Sequence, residues 1–248
     1  MKILLVNDDS IFAPGIKAMI SAITKTQHEI LVVAPKYEMS SVGHHMSLRD
    51  PVRVQKIDDY ACFGIKNAFA LEGTPVDCIK FAKYQLKLDF DLVVSGINKG
   101  GNVGSDVVYS GTVAACIEAN ILGIPSIAVS STSYDDNDYD FCADFIVKNL
   151  DKLVLAAQPD KVINVNLPDS TKTEIKGIKI AVQGNRDYGD HYVQEGENFY
   201  IKGYPKYYGD IDEETDVKYL DLGYITITPL TFSMVDHTSL KKVEDIFK

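Results

Sequence analysis

Two aspartates stand side by side near the start of the chain, in Lys2-Ile3-Leu4-Leu5-Val6-Asn7-Asp8-Asp9-Ser10, where an aliphatic run ends. Adjacent carboxylates repel, so something must offset their charge. A hard divalent cation would do so, because Mg2+ and Mn2+ take oxygen ligands and keep positions for water and a substrate phosphate. A helix N-terminus would do so too, since aspartate there caps the free backbone N–H groups. The pair alone leaves both readings open.

Two further polar segments bear on the choice. Ala34-Pro35 is followed by Lys36-Tyr37-Glu38-Met39-Ser40-Ser41-Val42-Gly43-His44-His45, a loop of hydroxyls and imidazoles of the kind that lines sites. His44 and His45 point opposite ways if extended, so they suit substrate contact better than shared metal ligation. The third segment, Ser95-Gly96-Ile97-Asn98-Lys99-Gly100-Gly101-Asn102-Val103-Gly104-Ser105-Asp106, is rich in glycines that let backbone N–H groups approach an anion. After it, Ser110-Gly111-Thr112 opens an apolar-faced helix, and a helix start carrying hydroxyls can seat a phosphate. Neither a Walker A sequence nor a dinucleotide Gly-x-Gly-x-x-Gly at the first helix is present. Taken with the aspartate pair and the Ser40 loop, the glycine-rich segment favours a ligand cradle over a plain turn.

These segments need strands to end where they begin. Ile3 to Val6, Ile30 to Ala34, Leu92 to Ser95 and Ser126 to Ser130 read as buried strands. Helices are expected from near Pro14, Pro75 and Gly111, and from Tyr139 to Leu155, with Thr74-Pro75 as an N-cap and first-turn proline. The alternation predicts an α/β chain with helices on both faces of a mostly parallel sheet, where ligands bind beyond the carboxyl ends of the strands. Past Pro168 the texture becomes β-rich: Ile175 to Val182, Tyr192 to Gln194 and Phe199 to Ile201 read as strands of a hairpin-bearing extension. We therefore divide the chain into a core, 1–168, and an extension, 169–248.

The acidic run Tyr134 to Asp140 lacks the mid-loop glycine and terminal glutamate of an EF-hand and reads as a solvated loop. The tail segments Gln183-Gly184-Asn185-Arg186 and Tyr204 to Tyr208, rich in tyrosine and turn residues, could stack a base or pack a subunit interface, and their aromatics favour the interface. A net charge of −10 argues against a protein that binds nucleic-acid polymers or anionic membranes. Cys62, Cys78, Cys116 and Cys142 form no Cys-x-x-Cys pair and read as buried, reduced thiols. The first apolar run is too short for a signal-peptide core, which together with unpaired thiols predicts a soluble cytoplasmic protein.

In this order, the segments resemble the SurE (survival protein) family. The resemblance is carried by Asn7-Asp8-Asp9 with Ala13-Pro14-Gly15, Ala34-Pro35 with Ser40, Gly73-Thr74-Pro75 with Asp77-Cys78, and Ser95-Gly96-Ile97-Asn98. It continues through Gly104-x-Asp106, Tyr109 to Val113, Gly123-Ile124-Pro125, Asn164 to Pro168 and Thr228-Pro229-Leu230. It implies a Rossmann-like three-layer core and a metal-dependent 5'/3'-nucleotidase acting on nucleoside monophosphates. One divalent ion per subunit, Mg2+ or Mn2+, would be held by Asp8, Asp9, Ser40 and Asn98. Asp8, Asp9 and Asn98 would form the catalytic group, with Asn102, Gly104, Ser110, Gly111, Thr112 and His44 on the substrate. A homodimer or homotetramer with exchanged C-terminal elements is also implied. The chain departs from the family pattern at Ser10, where glycine is commoner, and at Lys36, Met39 and His45. Adjacent aspartates also set it apart from phosphatases with a covalent aspartyl-phosphate, whose first motif separates two aspartates by one residue. A non-hydrolysing nucleotide sensor and a general phosphomonoesterase or polyphosphatase are the alternatives.

Overall fold

A computed structural model describes residues 1–58, 60, 63–133, 139–204 and 214–248. Cys62, most of the acidic run from Tyr134, and Tyr208 with its neighbours back to 205 lie outside the described residues. One nine-stranded sheet organises the chain, in the order β3 (Val54–Lys56), β4 (Ala68–Leu71), β2 (Glu29–Pro35), β1 (Lys2–Val6), β5 (Leu92–Lys99), β6 (Ser126–Ser131), β7 (Val162–Leu167), β11 (Ile225–Leu230) and β8 (Ile178–Ile180). Its centre is parallel: β1 (Lys2–Val6) pairs with β2 (Glu29–Pro35) on one side and β5 (Leu92–Lys99) on the other. From there β4 (Ala68–Leu71) extends beyond β2, while β6 (Ser126–Ser131) and β7 (Val162–Leu167) extend beyond β5.

The central strands are aliphatic throughout because both of their faces are covered. Ile3 to Val6 are wholly buried. Helices α1 (Pro14–Ile23) and α4 (Tyr139–Ala156) pack together on one face, and α2 (Pro75–Lys80) and α3 (Gly111–Ile121) on the other. One core beneath α1 and α4 gathers Ile3, Leu5, Ile16, Ile20, Val94 and Ile146; the opposite core gathers Leu4, Val6, Val33, Cys78 and Ala115. The expected cap at Thr74 is present as a full capping box with Asp77. Cys78, Cys116 and Cys142 are buried, and burial pushes the Cys116 thiol up to about 12, so it stays protonated.

Beyond Pro168 the chain returns to the sheet. β11 (Ile225–Leu230) runs antiparallel to β7, and β8 (Ile178–Ile180) lies parallel to β11 at the edge. The predicted strand from Ile175 to Val182 shrinks to these three residues. Ile178 and Ile180 are largely exposed, and the chain then leaves the edge for a single bridge between Val182 and Thr215. The hairpin of β9 (His191–Glu195) and β10 (Asn198–Lys202) stands apart as its own sheet. β3 (Val54–Lys56), β4, β7, α5 (Asp216–Asp221), β11 and α6 (Leu240–Ile246) were not expected from the sequence. β4 is a four-residue Ala-Phe-Ala-Leu and β11 carries Pro229, so neither has the signature of a buried strand. Among the described residues, no helix is long and apolar enough to cross a membrane.

Candidate active site

β1 leads to one side of the sheet through β2 and to the other through β5, so their carboxyl ends part at a topological switch point. A cleft of about 710 Å3 opens there, lined by Asp8, Ser40, Asn98, Asn102, Asp106, Ser110 and Arg186 among others. Asp9 lies on the adjoining hollow, which shares Ser40 and Lys99 with the cleft. The volume is ordinary for a small-molecule site.

Each predicted metal-site residue arrives by its own device. Asp8 is buried directly after β1, where the Thr112 backbone N–H donates to its Oδ2 (3.0 Å) and the Thr112 hydroxyl to its Oδ1 (2.5 Å). Gly111 permits this approach: a Cβ there would sit 2.9 Å from the Asp8 Cβ and 3.0 Å from its Oδ2. Asp9 accepts from the Lys99 backbone N–H (3.0 Å). The Ser40 hydroxyl donates to Glu38 (2.6 Å), and the Asn98 amide nitrogen donates to the Gly100 carbonyl (2.7 Å), which turns Oδ1 into the free end of that side chain. Asn98 reaches the cleft over a bulge in β5, where the pairing with β6 slips between Ser95 and Asn98. Gly96, at φ 130°, makes the bulge possible, since a Cβ there would lie 2.3 Å from the Val129 carbonyl oxygen.

Burial pushes the Asp8 carboxyl up to about 7; the Thr112 hydroxyl opposes that and the Asp9 charge adds to it. Burial raises Asp9 as well, with the Lys99 N–H opposing and Glu38 adding. Two crowded acids with a third beside them suit a divalent cation. No cluster of three or more His, Cys, Asp or Glu suited to a metal exists among the described residues. A cation here would therefore complete its shell with the Ser40 hydroxyl and Asn98 amide oxygens, a hard all-oxygen set, and the residues fit such an ion.

The predicted substrate residues divide. Ser110 lines the cleft and caps α3 by accepting from the Val113 N–H (3.1 Å). Thr112 and Gly111 face Asp8. Asn102 is knit inward: its N–H donates to Asn166 (2.7 Å), its side chain to Ser130 (2.8 Å), and its carbonyl accepts from Asn164 and Asn166. The Gly104 N–H donates to Asp216 (3.0 Å). His44 instead meets the buried carboxylate of Glu118 (3.1 Å), which Lys80 also pairs (2.7 Å), and lines a separate apolar cavity with Val107, Ala114 and Ile117.

Glu38, Asp106, Arg186, Tyr188 and Asp216 are brought to the site without a role there having been legible in the sequence. Arg186 and Tyr188 both reach Asp106, at 3.1 and 2.5 Å. Asp216 gathers the N–H groups of Gly104, Gly184 and Val217. Asp106 lies about eighty residues from Arg186 and Tyr188, and Gly104 lies 112 from Asp216, so the signal that pointed toward them was the isolated Gly104-x-Asp106 pattern.

Comparison with known proteins places this geometry. The family model described as survival protein SurE matches residues 3–190. A protein of Clostridium beijerinckii named 5'-nucleotidase SurE is 40% identical over 262 residues, spanning the whole of both chains. One of the same name from Thermosipho melanesiensis is 38% identical, over all of this chain and 98% of its own. The crystal structure of a SurE protein from Aquifex aeolicus superposes with a TM-score of 0.85 at 33% identity, over the full length of both.

Proposed function

The chain belongs to the survival protein SurE family, and from that premise we propose that it is a 5'-nucleotidase, a phosphatase of nucleoside monophosphates. It works with one divalent ion, Mg2+ or Mn2+, held by Asp8, Asp9, Ser40 and Asn98. The observation that supports this most is the meeting of Asp8, Ser40 and Asn98, from three different strand ends, on one cleft with Asp9 beside them.

When bound, the ion supplies Lewis-acid charge that draws electron density from the phosphoryl group and acidifies water. The chain's own groups do the rest. Thr112 holds both Asp8 oxygens, and the Lys99 N–H holds one Asp9 oxygen, so the carboxylates stay oriented through turnover. Asp8 or Asp9 takes the proton of the attacking water. The Ser110 hydroxyl accepts from Val113 and keeps its own proton to donate to a phosphate oxygen. Asn102 and Gly104 act indirectly, by shaping the loop that closes the cleft.

The core, 1–168, carries the ion; the extension, 169–248, supplies one rim of the cleft and the means of assembly, and the protein acts in the cytoplasm. It assembles as a homodimer or homotetramer with exchanged C-terminal segments. Support comes from α6, none of whose residues is buried although Leu240, Val243 and Ile246 are apolar, and from the exposed hairpin.

The test is phosphate release from nucleoside 5'- and 3'-monophosphates and from simple phosphomonoesters, first with EDTA and then with Mg2+ or Mn2+, for wild type and Asp8→Asn. Release restored by metal and lost by orders of magnitude in the variant supports the reading. Binding without release would make the protein a nucleotide sensor, and equal release from every ester a general phosphomonoesterase.

A further inference from the structure

We infer that Arg186 is the cation that grips the substrate phosphate in this cleft, and that Asp106 is the positioning residue that aims it; this rests on the phosphatase reading above. The cleft lining carries Asp8, Asp106, Asp187 and Asp190 against Lys99 and Arg186. A bound divalent ion offsets the charge around Asp8 and Asp9, which leaves a phosphate dianion facing the other acids. Lys99 is an exposed side chain whose charge acts on Asp9. Arg186 is of another kind: its side chain is only 16% exposed, and its partner carboxylate on Asp106 only 18%.

Arg186 is held through both its side chain and its main chain. Its Nη1 donates to Asp106 Oδ2 (3.1 Å), the same oxygen that accepts from the Tyr188 hydroxyl. The Ser105 hydroxyl accepts from the Arg186 N–H (3.2 Å) and donates to its carbonyl (2.8 Å), so the backbone of Arg186 is pinned to the loop that lines the cleft. Gln183 and Gly184 tie the preceding residues to the Gly104 carbonyl and to Asp216 (2.8 Å each). An arginine whose guanidinium is tied to Asp106 and Tyr188 and whose main chain is locked is preorganised, and the N–H donors left over match phosphate oxygens in pairs, as an ammonium cannot. A structural ion pair alone would not require the side chain to line the same cleft as Asp8, Ser40 and Asn98.

The experiment measures binding of inorganic phosphate at saturating Mg2+, together with Mg2+ affinity, melting temperature, kcat and KM, for wild type, Arg186→Gln, Arg186→Lys, Asp106→Asn and the double variant Asp106→Asn with Arg186→Gln. The expected result for Arg186→Gln is a tenfold or greater loss of phosphate affinity and a matching rise in KM, with Mg2+ affinity and melting within about twofold and a few degrees of wild type. Arg186→Lys should recover part of the loss, and Asp106→Asn should weaken phosphate binding in wild type but not further in Arg186→Gln. Unchanged phosphate affinity in Arg186→Gln overturns the inference, as does a loss that only follows lost Mg2+ binding or lost folding. Wild type that releases no phosphate from any nucleotide would instead defeat the phosphatase reading, so the two failures are distinct.

Discussion

Thr112 grips both oxygens of Asp8, one through its backbone N–H and one through its hydroxyl, across 104 residues of sequence. The first turn of α3 thereby sets the orientation of the carboxylate at the end of β1. Thr112→Val removes one charge-assisted bond, worth about 1.5–3 kcal/mol, and should weaken Mg2+ binding by about ten- to a hundredfold. Thr112→Ser should bind nearly as wild type. Calorimetric titration of the two variants decides it; equal affinity in Thr112→Val would mean that the N–H alone orients Asp8.

The Asp8 carboxyl titrates at about 7 in the folded chain against an ordinary 3.8, so the folded state binds its proton more tightly than the unfolded state. The stability this confers is complete below about pH 4 and is lost as pH rises through 7. Asp9, Asp216 and Asp221 are raised by burial too and add in the same direction. Metal-free protein should therefore melt at lower temperature at pH 8 than at pH 5.5, by as much as a few kcal/mol of stability. Mg2+ should restore more at pH 8 than at pH 5.5, because it competes with protons for the same oxygens. Melting curves with EDTA and with Mg2+ at both pH values test the sign.

Ser10 sits at φ 101°, a left-handed conformation that strains a side chain, while its hydroxyl donates to the Lys36 carbonyl (2.8 Å) and accepts from the Phe12 N–H (3.3 Å). Ser10→Gly removes about 1 kcal/mol of strain and about 1 kcal/mol of hydrogen bonding, so its melting temperature should stay within a few degrees of wild type. Ser10→Ala keeps the strain and loses the bonds, and should be destabilised by about 1–2 kcal/mol. Denaturant titration of both variants separates the two contributions.

Met234, Leu240, Val243, Ile246 and Phe247 expose half or more of their surface, in a tail that follows β11. Light scattering should find a dimer or larger assembly, and a chain ending at Thr231 should run as a smaller species. A monomeric full-length chain would show that this tail folds onto nothing but solvent.

Local pattern made much of this protein legible in its sequence. Aliphatic runs such as Ile3 to Val6 and Leu92 to Val94 announce buried parallel strands because both faces of such strands lie against helices. Thr74-Pro75 announces the start of α2, and the polar residues after three strand ends announce where ligands would gather. Asp8, Ser40, Asn98 and Ser110 line one cleft, with Asp9 beside it.

What tertiary structure alone decided is which donors are already spent. The hydroxyl of Thr112 goes to Asp8, the amide of Asn102 to Ser130 and the N–H of Gly104 to Asp216, while His44 turns away to Glu118. Arg186 enters the cleft from an extension that reads only as β-rich. A residue's type states what it can donate or accept. Its partner depends on which distant segments the sheet brings together, and that follows from packing over the whole chain, which no local pattern encodes.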